Sequence, residues 1–277
     1  MSFAAVQGID FSGARQAGSA LWWATLVPEA QRWRLARLTS LAALAGTTDR
    51  ARVLASLRQA IALSEATLWA FDFSFALPAV LLGEATSWRA WLVQLAQQPD
   101  DAPAFGRFCA TRAFQQTGRS CVLRQTEQEQ GAHLCAYHPH LVYQLFYGVR
   151  EVLRPLSTDP STAILPFDYE RLPQARRFLV ETLPAATLRR LGWPDRGYKG
   201  GGRNTRRQSQ LREELVGQLA KEVAIESEFQ EVMRRQSGGD ALDAVLAAWG
   251  AIAAWKRVNH AALASNPTYQ REGYEYC

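Results

Sequence analysis

The tripeptide Asp-Phe-Ser occurs twice in this chain, and each copy closes an apolar run. The first copy begins at Asp10 and the second at Asp72. A short apolar run bounded by turn signals predicts a buried strand. A carboxylate at the end of such a strand is costly to bury unless it is paired or binds a metal. If the two strands are parallel neighbours in register, with backbones about 4.8 Å apart, both aspartates can reach one cation.

The composition is that of a globular protein. The chain has 277 residues, 48% of them hydrophobic and 21% charged, and this length can bury a sizeable core. Its net charge of +5 permits an anionic partner without requiring one. We expect no signal peptide and no apolar stretch long enough to span a bilayer. With four scattered cysteines, we expect free thiols, a cytoplasmic location and no membrane contact, and the oligomeric state stays open.

The first third of the chain predicts a mixed sheet. Residues 3–10, 19–26 and 31–39 are predicted strands, and their short links indicate an antiparallel meander. A helix is predicted over 49–63, capped by Thr48 or Asp49, and the second Asp-Phe-Ser strand follows it at once. A strand–helix–strand unit implies a right-handed crossover and a parallel pairing within the sheet.

The rest of the chain predicts helices with a few strands. Residues 80–160 are expected to be a helical insertion or covering layer within a single domain that spans 1–277. The remaining predicted elements are strands in 162–167 and 176–184, a mobile basic glycine-containing loop over 196–207, and helices over 210–234 and 240–256. The order of elements indicates an α/β fold with helices on the faces of the sheet.

Acidic residues stand at the ends of several predicted elements. The candidate catalytic residues are Asp10, Asp72, Glu181, Asp240 and Asp243, and all but Glu181 are candidate metal ligands. Carboxylate oxygens suit Mg²⁺ or Mn²⁺ better than Zn²⁺. Two such ions about 3.5–4 Å apart can clamp the attacking and leaving oxygens of a phosphodiester.

Each later acid also has an ordinary structural interpretation. Asp240 follows two glycines and can be a helix N-cap, and Asp243 lies in the first turn, where the helix dipole favours an acid. Glu181 can pair with Arg176 or Arg177. The two Asp-Phe-Ser aspartates are harder to explain in this way, because apolar residues precede both.

Five segments together resemble the Domain of Unknown Function 429 family, predicted nucleases of the ribonuclease H-like superfamily. They are residues 8–14 (Gly-Ile-Asp-Phe-Ser-Gly-Ala), 71–78, 180–186, 240–251 and 272–276, in the order in which the family has them. The resemblance implies a ribonuclease H-like fold, with a mixed five-stranded sheet of order 3-2-1-4-5. It also implies active-site acids on the first strand, the fourth strand and a late helix.

The resemblance assigns a position to each acidic candidate. Asp10 falls on the first-strand acid and Asp72 on the fourth-strand position. Asp243, with Asp240, falls on the late-helix acid, and Glu181 matches a glutamate that precedes a small-residue turn. The implied activity is phosphodiester hydrolysis with Mg²⁺ or Mn²⁺.

A basic stretch over residues 189–212 predicts nucleic acid, DNA or RNA, as the partner. Its candidate phosphate contacts are Lys199, Arg203, Arg206 and Arg207. Such contacts weaken as salt rises. The alternative interpretation is a solvated loop and helix face.

Two other functions stay open. An actin-like nucleotide phosphotransferase shares a Gly-x-Asp start but needs glycine-rich phosphate loops, for which the chain offers only Ser12-Gly13-Ala14 and Gly200–Gly202. The other is a non-catalytic nucleic-acid-binding module with a decayed site.

A structural zinc ion is a separate candidate in the segment that contains His133, Cys135, His138 and His140. Their spacings suit zinc, although the paired cysteines of a zinc knuckle are missing.

Overall fold

The chain folds around one seven-stranded mixed sheet. The computed structural model describes residues 2–83, 85–200 and 204–277. Its strands are β1 (Ala5–Asp10), β2 (Trp22–Glu29), β3 (Arg32–Ser40), β4 (Thr67–Asp72), β5 (Thr162–Ile164), β6 (Arg177–Glu181) and β7 (Val223–Ala224). They lie in the order β5-β6-β4-β1-β2-β3-β7. The β1–β2 and β2–β3 pairs are antiparallel, and the other pairs are parallel.

The predicted mixed α/β class is confirmed, and the sheet is larger than expected. The meander β1-β2-β3 and the parallel placement of β4 beside β1 are as predicted. The sheet has seven strands instead of five, and the strand beside β4 is the sixth in the chain. The outer strand β5 has three residues and β7 has two. β5 lies within the strand predicted over 162–167, whereas the two residues of β7 contain too little alternation for a sequence pattern to reveal that strand.

Helices connect and cover the strands. They are α1 (Leu41–Ala45), α2 (Arg50–Leu63), α3 (Trp88–Ala96), α4 (Ala102–Thr117), α5 (Gln125–Glu129), α6 (Val142–Tyr147), α7 (Arg154–Ser157), α8 (Pro184–Arg190), α9 (Arg206–Glu222), α10 (Ser227–Arg235), α11 (Asp240–Arg257), α12 (His260–Ser265) and α13 (Tyr269–Glu272). A π-helical segment, Gly148–Leu153, joins α6 to α7. Short 3₁₀ turns occupy Ala17–Ser19, Ala79–Leu81 and Tyr169–Arg171.

Two helix predictions have different outcomes. The helix predicted over 49–63 is α2, and Asp49 caps it by accepting a hydrogen bond from the Arg52 N–H at 3.0 Å. The continuous helix predicted over 210–234 is wrong, because the chain forms α9 and α10 with β7 between them. The β-branched Val223 starts this break, where β7 pairs with β3 and extends the sheet.

The sheet is buried on both faces, and the side chains of its central strands alternate between two cores. Ile9, Trp69 and Phe71 point to a core shared with α2 and with the helices of residues 80–160. Val6 and Ala70 point to the opposite core, which contains the apolar residues of α9 and α11. We call these faces the α2 face and the α11 face. Since side chains two residues apart share a face, the parity of each strand position decides which core it meets.

Helix α11 lies unusually close to β1. A side-chain carbon added at Gly8 would lie 1.9 Å from the Ala244 carbonyl oxygen and 2.7 Å from the Ala248 nitrogen. Glycine within a strand is typical of a place where another backbone approaches. The contact fixes the first turns of α11 against the carboxyl-terminal half of β1.

Two general expectations can be compared with the described residues. Within those ranges, no helix combines the length and the apolar character that a bilayer crossing requires. All four cysteines carry free thiols.

Candidate metal centre

The two Asp-Phe-Ser aspartates lie side by side. Strands β1 and β4 are parallel neighbours, and Asp10 is paired with Asp72 in the strand register. Each aspartate is the last residue of its strand. Asp10 lies an even number of positions after Val6, and Asp72 after Ala70, so both belong to the α11 face. The condition under which both aspartates can reach one cation, parallel neighbouring strands in register, is therefore met.

Asp243 completes a group of three carboxylates. It lies in the first turn of α11, is fully buried, and reaches the site because α11 lies against β1. Asp10, Asp72 and Asp243 each offer an oxygen atom, and these three atoms lie within 4.8 Å of one another. Among the described residues, no other group of three histidine, cysteine, aspartate or glutamate side chains converges in this way. The donor set consists entirely of oxygen, which hard divalent cations prefer.

The electrostatics of the group indicate a shortage of positive charge. Burial raises the pKa of Asp10 well above its usual range, and the neighbouring carboxylates of Asp243 and Asp72 add to this effect against the opposing charge of Lys199. Burial likewise raises the pKa of Asp72 to about 7. Three carboxylates forced together resist full ionisation unless a cation compensates them. The site therefore fits a divalent metal ion.

Two neighbouring loop residues, Tyr198 and Lys199, bind the Asp243 carboxylate. The Tyr198 hydroxyl donates to Asp243 Oδ1 at 2.7 Å, and the Lys199 ammonium forms an ion pair with Asp243 Oδ2. The buried guanidinium of Arg212 donates to the Tyr198 carbonyl oxygen and holds this segment in place. Sequence reasoning placed Lys199 among the nucleic-acid contacts and missed Tyr198. No sequence signal could have found Tyr198, because a lone tyrosine in a glycine-rich loop has no pattern that indicates burial.

Asp240 lies close to the group but outside it. The N-cap of α11 is Gly239, with φ of +85°, so the N-cap interpretation of Asp240 is wrong. The Asp240 N–H donates to Gln236 Oε1, and its own Oδ2 accepts from Gln236 Nε2, both at 2.8 Å. Burial raises the pKa of Asp240. Asp240 was predicted to be a metal ligand, but the structure does not bring it into the group formed by Asp10, Asp72 and Asp243.

Glu181 faces the other side of the sheet. It ends β6 in register with Phe71, one residue before Asp72, and so it shares the α2 face with that phenylalanine. There it forms an ion pair with the buried Arg124, and neither of the arginines expected as its partner pairs with it. Glu181 and Asp72 line a common cavity of about 50 Å³. The structure thus places Glu181 beside the candidate metal centre rather than within it.

Arg124 is the centre of a buried ionic cluster that sequence reasoning missed. Its Nε is 2.8 Å from Glu127 Oε1, and its Nη2 is 3.4 Å from Glu275 Oε1. Its Nη1 also donates to the Glu272 carbonyl oxygen at 2.9 Å. We call Arg124, Glu127, Glu181 and Glu275 the Arg124 cluster. Nothing in the local sequence around Arg124 links it to acids so far along the chain.

The predicted nucleic-acid contacts separate into three cases. Arg206 and Arg207 are exposed in the first turn of α9. Lys199 is directed to the carboxylates. Arg203 lies outside the described residues.

The histidine-rich segment does not assemble into a metal site in the described part of the chain. The His133 side chain contacts Arg196. His138 Nδ1 accepts the His140 N–H at 3.3 Å. Cys135 is buried beside an apolar cavity. These contacts are those of ordinary loop packing.

Gly13, the early glycine considered for a phosphate loop, is required by packing. A side-chain carbon at this position would lie 2.0 Å from the Tyr143 carbonyl oxygen. The glycine therefore admits the backbone of α6. Nothing in this contact indicates an open cradle for a phosphate.

Comparison with known proteins gives one match. The model of a family described as "Protein of unknown function (DUF429)" matches residues 161–267. The matched span includes Glu181, Tyr198, Lys199 and Asp243, whereas Asp10 and Asp72 precede it. No curated protein and no solved structure matches the chain.

Proposed function

From its carboxylate site we propose that this chain, which matches the model of the DUF429 family of unknown function over residues 161–267, is a metal-dependent nuclease that hydrolyses phosphodiester bonds. The observation that carries this proposal is the convergence of Asp10, Asp72 and Asp243 within 4.8 Å. Burying three acids together is unfavourable unless a cation joins them, and carboxylate-bound divalent ions are a recurrent means of phosphodiester cleavage.

The residues fit Mg²⁺ or Mn²⁺. The donor set is all oxygen, and it lies at the edge of the sheet where two strands end. Asp10, Asp72 and Asp243 would hold the ion, and Tyr198 orients the Asp243 carboxylate through its hydroxyl. A divalent ion there supplies an activated water and neutralises charge on the phosphoryl group. The packing of α11 onto β1 keeps the third ligand in place without help from the substrate.

The surface beside the site supports an anionic substrate. Arg206 and Arg207 are exposed at the start of α9, seven and eight positions after Lys199, which reaches the carboxylates. Exposed arginines bind phosphate oxygens without reading the base sequence. We propose that this basic segment contacts the phosphates of a nucleic acid bound at the site, with an affinity that falls as salt rises.

A cleavage assay tests the proposal. Purified protein is incubated with labelled single- and double-stranded DNA and RNA in Mg²⁺, Mn²⁺ or EDTA. We expect metal-dependent cleavage of at least one substrate, lost in Asp10→Asn and Asp243→Asn. The matched control is Glu170→Gln, at an exposed glutamate in the 3₁₀ turn Tyr169–Arg171 and outside the carboxylate group, which should retain full activity.

Two results would overturn the proposal. One is cleavage that survives intact in Asp10→Asn. The other is the absence of Mn²⁺ binding by calorimetry in a folded wild-type protein. Mn²⁺ binding that Asp10→Asn abolishes, without cleavage of any polymer, would keep the metal site and remove nucleic acid as its substrate.

A further inference from the structure

We infer that the Lys199 ammonium is a resident counter-ion that is paired with the carboxylate site in the metal-free protein and is displaced when a divalent ion binds. The inference rests on the proposed metal-dependent function. The inference gives Lys199 a role in setting the affinity of the carboxylate site for its metal ion.

The position of the ammonium carries the inference. Lys199 Nζ forms its ion pair with Asp243, which is one of the three converging carboxylates. Its charge also acts on the other two, because it lowers the pKa of Asp10 and of Asp72 against the larger raising effect of burial. One ammonium therefore contacts one of the three carboxylates that would hold a metal ion, and its charge acts on the other two.

The choice of lysine is informative in this chain. The sequence contains 28 arginines and only three lysines, at positions 199, 221 and 256. A lysine ammonium is a compact point charge on a flexible stem, whereas the arginine guanidinium is a broad planar fork. Of the two, only the ammonium approximates a small cation among converging carboxylates.

The backbone on both sides of Lys199 is fixed, and its side chain is free to leave. Arg212 donates to the Tyr198 carbonyl oxygen, and Gln208 Nε2 donates to the Lys199 carbonyl oxygen at 2.7 Å. The Gly200 N–H donates to the Ser237 carbonyl oxygen at 2.8 Å. By contrast, 51% of the Lys199 side chain is exposed. Rotation of this side chain alone can vacate the site while the loop stays in place.

The expected consequence is competition between the ammonium and the metal. Removing the ammonium leaves the carboxylates uncompensated in the metal-free state, and the metal no longer has to break an ion pair to bind. We expect Lys199→Met to bind Mn²⁺ up to about fivefold more tightly than wild type, the effect of one partly exposed charge.

Calorimetric titration with Mn²⁺ tests this expectation, and Arg207→Met is the matched control. That variant removes one positive charge from the same basic segment, at an exposed residue outside the carboxylate group. Its affinity for Mn²⁺ should equal that of wild type. Equal or weaker binding by Lys199→Met would overturn the inference, and so would equal tightening in both variants, which would reflect net charge alone. If wild type and both variants fail to bind Mn²⁺, the proposed function fails and the inference fails with it.

A second measurement uses the wild-type chain and does not depend on how a variant folds. The protein is treated briefly with an amine-acetylating reagent with and without saturating Mg²⁺, and each lysine is quantified by mass spectrometry. We expect acetylation of Lys199 to increase several-fold with Mg²⁺, because the amine is released from its ion pair. Lys221 and Lys256 are internal controls and should not change. Unchanged or reduced acetylation of Lys199 at saturating Mg²⁺ would overturn the inference.

Discussion

Replacing Asp72 with asparagine should stabilise the metal-free protein. Burial raises the pKa of Asp72 from 3.8 to about 7 in the folded state, so its ionisation opposes folding at pH 8. Each pH unit of difference corresponds to about 1.36 kcal/mol, and a difference of about three units gives roughly 4 kcal/mol. An asparagine side chain is nearly the same size as that of aspartate and carries no charge. The roughly 4 kcal/mol is therefore the upper limit of the stabilisation expected for Asp72→Asn.

The pH dependence follows from the direction of the pKa shift. Because the folded-state pKa of Asp72 exceeds its unfolded-state value, the folded protein binds this proton more tightly. The contribution of Asp72 to stability is present below about pH 4 and is lost as pH rises through 7. The advantage of Asp72→Asn should thus fall to about 1.5 kcal/mol at pH 5, which is only about one unit above the unfolded-state pKa of the carboxyl group.

Urea unfolding at pH 5 and pH 8 in EDTA measures these differences, and a second series with Mn²⁺ completes the design. Saturating Mn²⁺ should stabilise wild type more than Asp72→Asn, since the variant loses one ligand. Glu170→Gln, at an exposed position, should match wild type in every condition.

Two outcomes would refute the reasoning. If Asp72→Asn is less stable than wild type at pH 8 without metal, the carboxylate is compensated by the protein itself. The site would then lack the charge deficit that favours a divalent ion. The same conclusion would follow if the advantage of the variant did not change between pH 5 and pH 8.

Three other substitutions test the supports of the site. Gly8→Ala should destabilise the protein by about 1–3 kcal/mol and weaken Mn²⁺ binding, because the added methyl group clashes with the Ala244 carbonyl oxygen and displaces α11; urea unfolding and calorimetry measure the two effects. Arg124→Met should cost about 3–5 kcal/mol in urea unfolding at pH 8, since it leaves the acids of the Arg124 cluster uncompensated, and a loss below about 1 kcal/mol would contradict this. Tyr198→Phe should cost about 1–3 kcal/mol because Asp243 loses a buried hydrogen bond, and an unchanged thermal unfolding midpoint would show that the bond contributes nothing.

The sequence raised the pairing of Asp10 with Asp72 as a condition, because each motif ends a short apolar run. The family resemblance implied that the first and fourth strands are neighbours, and the structure has them parallel and in register. The prediction that Asp243 belongs to the site depended on the family resemblance, because an acid in the first turn of a helix is already explained by the helix dipole.

The misplaced residues were those whose environment depends on distant packing. Glu181 ends a strand as Asp72 does, but the register with Phe71 places it on the opposite face, and a single sequence does not reveal register between strands so far apart. Lys199 lies in a basic stretch that resembles a solvated surface. Its direction is set by Arg212 and by the contact of its own loop with α11.

The close contact at Gly8 also bears on when the site can exist during folding. Asp10 lies on the first strand and Asp243 on the eleventh helix, and they meet because the backbones of β1 and α11 touch. This is a contact between residues far apart in sequence, and such contacts form after local structure because loop closure must be overcome first. A folding intermediate that has formed the β1–β4 pair but not docked α11 would hold two of the three carboxylates. Metal capture would therefore report on the docking of α11 onto β1, and a divalent ion would stabilise the docked fold without accelerating the steps that precede it.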